Sequence, residues 1–202
     1  MPTETFFNLN EEKKNKIIDA AIDEFSERKV GEASINQIVK NAEISRGSFY
    51  TYFNDKYDLL HFLIDLMKEK LSDKLEPKFI ESNKSLHQLM LIIHDEIYLL
   101  LEDDKYSSLI KNISLFFHNH FIEDQNEIPE GMQYDFKLIM KYVSRDQLKD
   151  SSDEYLFKVM MTLQAVLKEV LLITILQKSS ILESRQRFSD LLEMVEQGYR
   201  RP

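Results

Sequence analysis

"ISRGSFYTYFNDK", residues 44–56, sets Phe49 and Phe53 one helical turn apart and surrounds them with Arg46, Gly47, Ser48, Tyr50, Thr51, Tyr52 and Lys56. Ser45 stands where a helix N-cap belongs, since its hydroxyl can accept from the unpaired amides of a first turn. On such a helix the two phenylalanines share an inner face, which turns Arg46, Gly47, Tyr50 and Thr51 to the opposite side. Just upstream, Ser34 and Gln37 are spaced like a capping box, and Ile35, Ile38, Val39 and Ala42 mark the apolar face of another short helix. Before that, Asn10 can cap a longer helix with Glu11 and Glu12 in its first turn and Ile17, Ala21 and Phe25 on a buried stripe. Two short helices across a three- or four-residue turn, packed on a longer one, make helix-turn-helix geometry, whose second helix enters the major groove of DNA.

The outward residue types suit that surface. Arg46 forks onto a guanine edge or pairs with phosphate, and Ser48 and Thr51 exchange hydrogen bonds with bases. Gly47 admits a close approach of the backbone. The phenols of Tyr50 and Tyr52 and the ammonium of Lys56 suit phosphate oxygens, and Ser34 and Ser45 sit at helix starts, where amides favour an anion. Taken singly, each has a plainer reading: the tyrosines as amphipathic surface, Arg46 as an i, i+3 partner of Glu43, Lys56 as solvated. Their joint spacing is what points to DNA.

Charge opposes that reading at first sight. The 202-residue chain has 35 acidic residues against 26 Lys and Arg, a net charge of −9, and residues 1–60 alone carry eight basic and eleven acidic side chains. Counterion release, however, counts only the charges that touch phosphate, and a Debye length of about 8 to 10 Å hides acids on far faces. Modest nonspecific affinity is expected, with neutral donors making much of the phosphate contact.

Several chemistries are excluded. The absence of cysteine rules out disulfides and thiolate metal sites. Gly31, Gly47, Gly131 and Gly198 are too scattered for a dinucleotide fingerprint or a phosphate-cradling loop. His118 and His120 point apart on a helix, and the HDE at 94–96 lacks a second histidine, so no metal site is expected. Nothing resembles a serine elbow or a cysteine nucleophile; the expectation is no enzyme and no cofactor. The N-terminus does not read as a signal peptide, and the apolar run Val159–Leu176 is interrupted by Gln164, Lys168 and Glu169. A soluble, cytoplasmic protein with no membrane partner is expected.

Downstream of the opening stretch, Leu59, Leu60, Leu63, Met67, Leu71 and Leu75 keep a helical period until Pro77, which should stop that helix. Longer helices follow near 84–102, 104–122, 130–146, 153–177 and 180–199. With only four glycines and four prolines, the chain reads as all-α with about nine helices. The expected division is a helix-turn-helix domain over 1–54, a connecting helix over 55–76 and a C-terminal domain over 77–202.

The N-terminal part resembles the TetR family of bacterial transcriptional regulators. That family's signature has a threonine or serine opening its second helix, then Ile-Ala-x-x-Ala-Gly-Val-Ser, Lys-Gly-x-Leu-Tyr-x-Tyr/His-Phe, and a lysine three positions before a leucine. This chain presents Ser34, Ile38, Val39, Ala42, Glu43, Ile44, Ser45, Arg46, Gly47, Ser48, Phe49, Tyr50, Thr51, Tyr52, Phe53, Lys56 and Leu59. Glu43 stands in place of the usual turn glycine, so the turn must use a backbone that a β-carbon tolerates or accept strain of about 1 kcal/mol or more. Val39 stands in place of a small alanine and alters the packing between the two short helices. The resemblance implies a homodimer that offers two recognition helices to a near-palindromic operator. It also implies a C-terminal domain for dimerisation and, often, for a small inducer.

Within that domain, Leu156, Leu163, Leu167 and Val170, with Phe188, Leu191, Leu192 and Val195 of the last helix, are the candidate dimer interface; the alternative is packing inside one chain. Met90, His94, Tyr98, Phe116, Phe117, His120, Tyr134, Met140 and Met161 are the candidate lining for a flat or apolar ligand, and each equally suits plain core. The reading that unites these features is a repressor released from operator DNA by a small apolar or aromatic ligand. Its rivals are a ligand-independent DNA binder controlled by a partner and an interaction module that has lost DNA binding.

Overall fold

The computed structural model describes the backbone of residues 1–123 and 136–200 and the side chains of 1–117 and 138–200. The described residues are all-α, with one isolated bridge between Leu148 and Arg200. They form two compact units, one of residues 1–67 with the helix Asp104–Glu123, the other of residues 68–102 with the segment after 135.

The first unit contains α1 (Glu4–Phe7), α2 (Glu11–Glu27), a 3-10 turn at Val30–Glu32, α3 (Ile35–Asn41), α4 (Arg46–Tyr52), the start of α5 (Lys56–Glu81) and, from further along the chain, α7 (Asp104–Glu123). Asn10 caps α2 as expected, its side chain accepting from the Lys13 amide at 2.9 Å. Ile17, Ala21, Phe25, Ile38, Phe49, Phe53, Leu59, Leu60 and Leu63 meet in one core, so the apolar stripes of three helices converge as their periodicity demands. Val39 also fits into this core, largely buried.

Helix α1 has no counterpart in the periodicity, being one turn long. Phe6 is its anchor, fully enclosed by Tyr52, Phe53 and Phe62, with ring centroids 4.9 Å from Phe53 and 5.1 Å from Phe62. The Thr3 amide donates to the Tyr52 carbonyl at 3.0 Å and its hydroxyl to the Thr51 carbonyl at 2.8 Å. The segment thereby satisfies acceptors that the end of α4 cannot pair within its own helix.

Helix α7 is fastened to the end of α2. The Asn112 side-chain nitrogen lies 3.0 Å from the carbonyls of Phe25, Ser26 and Arg28, and Lys105 pairs with Asp23 at 2.5 Å.

The second unit contains the rest of α5, α6 (Leu86–Leu101), α8 (Phe136–Tyr142), α9 (Asp153–Gln177) and α10 (Ile181–Tyr199). Pro77 does not end α5, which runs through it to Glu81. The proline forfeits one backbone bond, but Leu71, Leu75 and Phe79 continue the buried stripe on both sides of it, and their packing outweighs that loss. Lys78, the next residue, pairs with the buried Glu96 of α6.

Helix α9 is long and apolar enough to cross a membrane by length and composition alone, even with Gln164, Lys168 and Glu169 in it. In this fold it is a core helix: Leu156, Met160, Leu163, Leu167, Val170 and Leu171 are buried in the second unit. The core also holds a polar chain. His94 Nε2 lies 2.8 Å from Ser184 Oγ, which lies 2.6 Å from Thr174 Oγ1, and His94 Nδ1 faces Asp95 at 3.0 Å. Every member has a partner, which is the condition for burying such groups without a large penalty.

Candidate nucleic-acid interface

The site is built on the turn between α3 and α4. Ile44 donates its amide to the Val39 carbonyl at 3.0 Å, closing α3, and Glu43 takes φ +56°, the left-handed region. The expected conflict at Glu43 is therefore resolved by accepting a conformation that usually selects glycine. Its carboxylate reaches Lys16 of α2 at 2.7 Å rather than Arg46, and the bond from Lys16 holds that carboxyl below the usual range.

Ser45 then caps α4, accepting from the Ser48 amide at 3.0 Å, while the two serine hydroxyls lie 2.9 Å apart. Ser34 occupies the cap position of α3 but makes no side-chain cap bond, which corrects the expected capping box. Its amide instead donates to Oε1 of Glu24 at 2.8 Å, and this buried carboxylate of α2 is a stronger acceptor than the Gln37 amide oxygen that a capping box would use. Gln37 bonds to Asn41 at 2.9 Å.

Phe49 and Phe53 are fully buried, so α4 presents its other face to solvent. That face carries Arg46, Gly47, Tyr50 and Thr51, with Ser45 exposed at its start and Ser48 half-buried beside it. Arg46 Nη1 donates to Asn36 Oδ1 at 2.6 Å and Nη2 to Tyr50 Oη at 3.2 Å, and its guanidinium carbon sits 5.7 Å from the Tyr50 ring centroid. Thr51 Oγ1 donates to the Gly47 carbonyl at 3.1 Å. A β-carbon on Gly47 would meet only Ser45 Oγ, at 3.7 Å, so nothing inside the described fold requires glycine there.

Two predicted contacts sit elsewhere. Tyr52 is 5% exposed, because it lies three residues after Phe49 and shares the core face of α4. Lys56 Nζ donates to the carbonyls of Gly31 and Ala33, at 2.5 and 3.1 Å, and so braces the turn that leads into α3. The residue that sequence reasoning missed is Asn36, an exposed polar position on α3 turned away from Ile38.

The C-terminal candidates divide. Leu156, Leu163, Leu167, Val170, Phe188 and Leu192 are each 0% exposed within a single chain, with Leu191 and Val195 partly buried against them. Phe157, Leu176, Leu182 and Met194 are the large apolar side chains that α9 and α10 leave exposed, Leu182 at 77%.

Of the ligand candidates, Met90 and His94 are buried in the second unit, and Tyr98, Met140 and Met161 are half-buried there. Phe116 and Phe117 belong to the first unit, where they stack on Tyr57 and His61. The side chain of His120 and all of Tyr134 lie outside the described residues. A largely apolar cleft of the second unit, about 20 Å³, is lined instead by Lys68, Leu71, Ser72, Leu75, Phe79, Ile93, Leu138 and Ile139.

Residues 17–62 match the family described as bacterial regulatory proteins, tetR family. The chain is 31% identical over 93 residues to an uncharacterized HTH-type transcriptional regulator, YvdT, of Bacillus subtilis (strain 168), covering 46% of this chain and 47% of that one. It is 29% identical over 123 residues to the fatty acid metabolism regulator protein of the same organism, covering 59% and 61%. The matches thus span about half to three-fifths of these relatives' own length. Among solved structures, the fatty acid degradation regulator FadR from Bacillus halodurans aligns with a TM-score of 0.61 at 20% identity, over 94% of this chain and 95% of that one. SmeT, the repressor of the Stenotrophomonas maltophilia multidrug efflux pump SmeDEF, aligns at 0.59 with 17% identity, over 95% and 93%. At these identities the structures share a fold.

Proposed function

We propose that the chain, whose residues 17–62 match the tetR family, is a TetR-like transcriptional regulator that represses by binding a near-palindromic operator as a cytoplasmic homodimer. One observation carries this reading: α4 buries Phe49 and Phe53 while turning Arg46, Tyr50 and Thr51 to solvent from the second helix of a helix-turn-helix. Arg46 reads a base edge, and Ser45, Ser48, Tyr50 and Thr51 supply contacts to phosphate and base, with Gly47 allowing close approach. Ser34, at the start of α3, is a further phosphate contact.

Dimerisation uses the outer surfaces of α9 and α10, where Leu176, Leu182 and Met194 stand outside the core. Replacing Leu176 and Leu182 together by arginine should give monomers in sedimentation without loss of helicity; a variant that stays dimeric would exclude this surface. Release follows from a small apolar ligand that enters the cleft beside Leu71, Phe79 and Ile139, in keeping with a relative named for fatty acid metabolism. Helix α5 contributes Leu59 and Leu63 to one core and Leu71 and Leu75 to the other, so ligand uptake shifts the population of operator-competent dimers through it.

The small size of that cleft favours a second reading, a ligand-independent DNA binder controlled by a partner protein. The proposed function is tested by titrating a mixed-sequence duplex between about 50 and 200 mM salt. Affinity should fall log-linearly with rising salt, because releasing counterions gains less in a saltier solution, with a shallow slope set by few phosphate contacts. No binding at the lowest salt would remove the DNA reading.

A further inference from the structure

Arg46 is an exposed arginine that the protein nevertheless holds in place. Asn36, in the first turn of α3, accepts from Nη1 at 2.6 Å; Tyr50, one turn on in α4, accepts from Nη2 at 3.2 Å and lays its ring beneath the guanidinium carbon at 5.7 Å. A guanidinium has only donors, so the Asn36 oxygen must face it and the amide nitrogen turns away. Both partners are uncharged. The positive charge of Arg46 therefore stays available to an outside acceptor, whereas a carboxylate partner would have spent it. Glu43, three residues before Arg46, is engaged with Lys16 instead. Two of the five guanidinium N–H groups are used internally, leaving three for a ligand.

We propose that Asn36 and Tyr50 are positioning residues that hold Arg46 ready to read the O6 and N7 edge of one guanine in each operator half-site. The three side chains form one reading unit that spans both helices of the motif. Holding the arginine before contact reduces the rotamer freedom it loses on binding, and it narrows the acceptor geometries the arginine can meet. Discrimination at that base pair then depends on Asn36, even though Asn36 touches no base. This inference rests on the DNA-binding reading above.

The experiment compares base-by-base binding profiles, measured on a pool of random duplexes, for the whole protein and for Arg46→Ala, Asn36→Ala, Asn36→Asp and the Asn36→Ala/Arg46→Ala pair, with circular dichroism verifying that each is folded. Arg46→Ala should lower discrimination at one G·C pair per half-site by about 10-fold, the order of a good arginine–guanine contact. Asn36→Ala should lower it several-fold at the same pair and add nothing once Arg46 is gone. Asn36→Asp keeps an oxygen within reach of Arg46 but spends its charge on a carboxylate, so affinity for every sequence should drop and discrimination at that pair should fall with it, whereas full discrimination in this variant would contradict the need for an uncharged partner. A loss at a different pair, additive with Arg46→Ala, would make Asn36 a base reader in its own right and overturn the proposal. Uniform weakening by Asn36→Ala would also overturn it, as a general phosphate contact. Absence of any base preference in the unaltered protein would defeat the DNA reading itself, and this assignment with it.

Discussion

Replacing Glu43 by glycine should stabilise the protein. Glu43 is held at φ +56°, where a residue with a β-carbon costs about 1 to 2 kcal/mol relative to a right-handed conformation and glycine costs little. Against this, glycine raises the entropy of the unfolded chain by about 0.4 to 1 kcal/mol. The Lys16 pair is lost as well, but it is exposed at both ends and screened by solvent. The net gain is about 0.5 to 1 kcal/mol. With a urea slope of about 2 kcal/mol per molar, the unfolding midpoint should rise by roughly 0.2 to 0.5 M, read by far-ultraviolet circular dichroism. Glu43→Ala is the matched control, since it removes the same carboxylate but keeps the β-carbon, and it should gain nothing. If alanine stabilises as much as glycine, the effect is one of charge and the backbone reasoning fails; a midpoint lowered by glycine refutes it directly.

Phe188→Ala should cost about 3 to 5 kcal/mol, because the ring is fully buried and stacks on His94 at 5.4 Å; a melting temperature unchanged within a degree or two would show that the position is not core. Burial pushes the Asp95 carboxyl up, but hydrogen bonds from His94 and Arg185 outweigh it and hold it below the usual range. A carboxyl so depressed contributes stability that is present above its unfolded value, about 3.9, and lost as pH falls through its folded one. Asp95→Asn should therefore make the acid loss of stability shallower below about pH 5, and superimposable curves would sink that assignment. Lys56→Met should destabilise the first unit by about 1 to 2 kcal/mol through two orphaned carbonyls. The salt slope for DNA should stay put, whereas a slope reduced by about one would return Lys56 to the phosphate contacts.

Much of the motif was legible because it depends on local periodicity. The spacing of Phe49 and Phe53, the caps at Asn10 and Ser45, and the misfit of Glu43 in its turn are statements about neighbours along one chain, and the structure realises each of them. What periodicity does not carry is which distant group competes for a polar atom. Glu24 takes the Ser34 amide that a capping box assigns to Gln37, and Lys56 turns to the carbonyls of Gly31 and Ala33, through contacts that span ten to twenty-five positions. The C-terminal helices are apolar on several sides, so sequence distinguishes poorly between the face that meets the chain's own core and the face left for a partner. Leu163 and Phe188 lie in the chain's own core, whereas Leu182 and Met194 are exposed. Pro77 is a further case: a local breaker is overruled by the buried leucines and phenylalanine on either side of it.

The measurement that bears most directly on the DNA reading is selection of duplexes from a random pool by the purified protein at about 0.1 M salt, where specific and nonspecific binding separate. Enrichment of a near-palindrome, with half-sites about one helical turn apart, is the outcome expected of a dimer that presents two α4 helices. A folded protein that enriches no sequence at any salt would contradict operator recognition and leave protein interaction as the use of this surface.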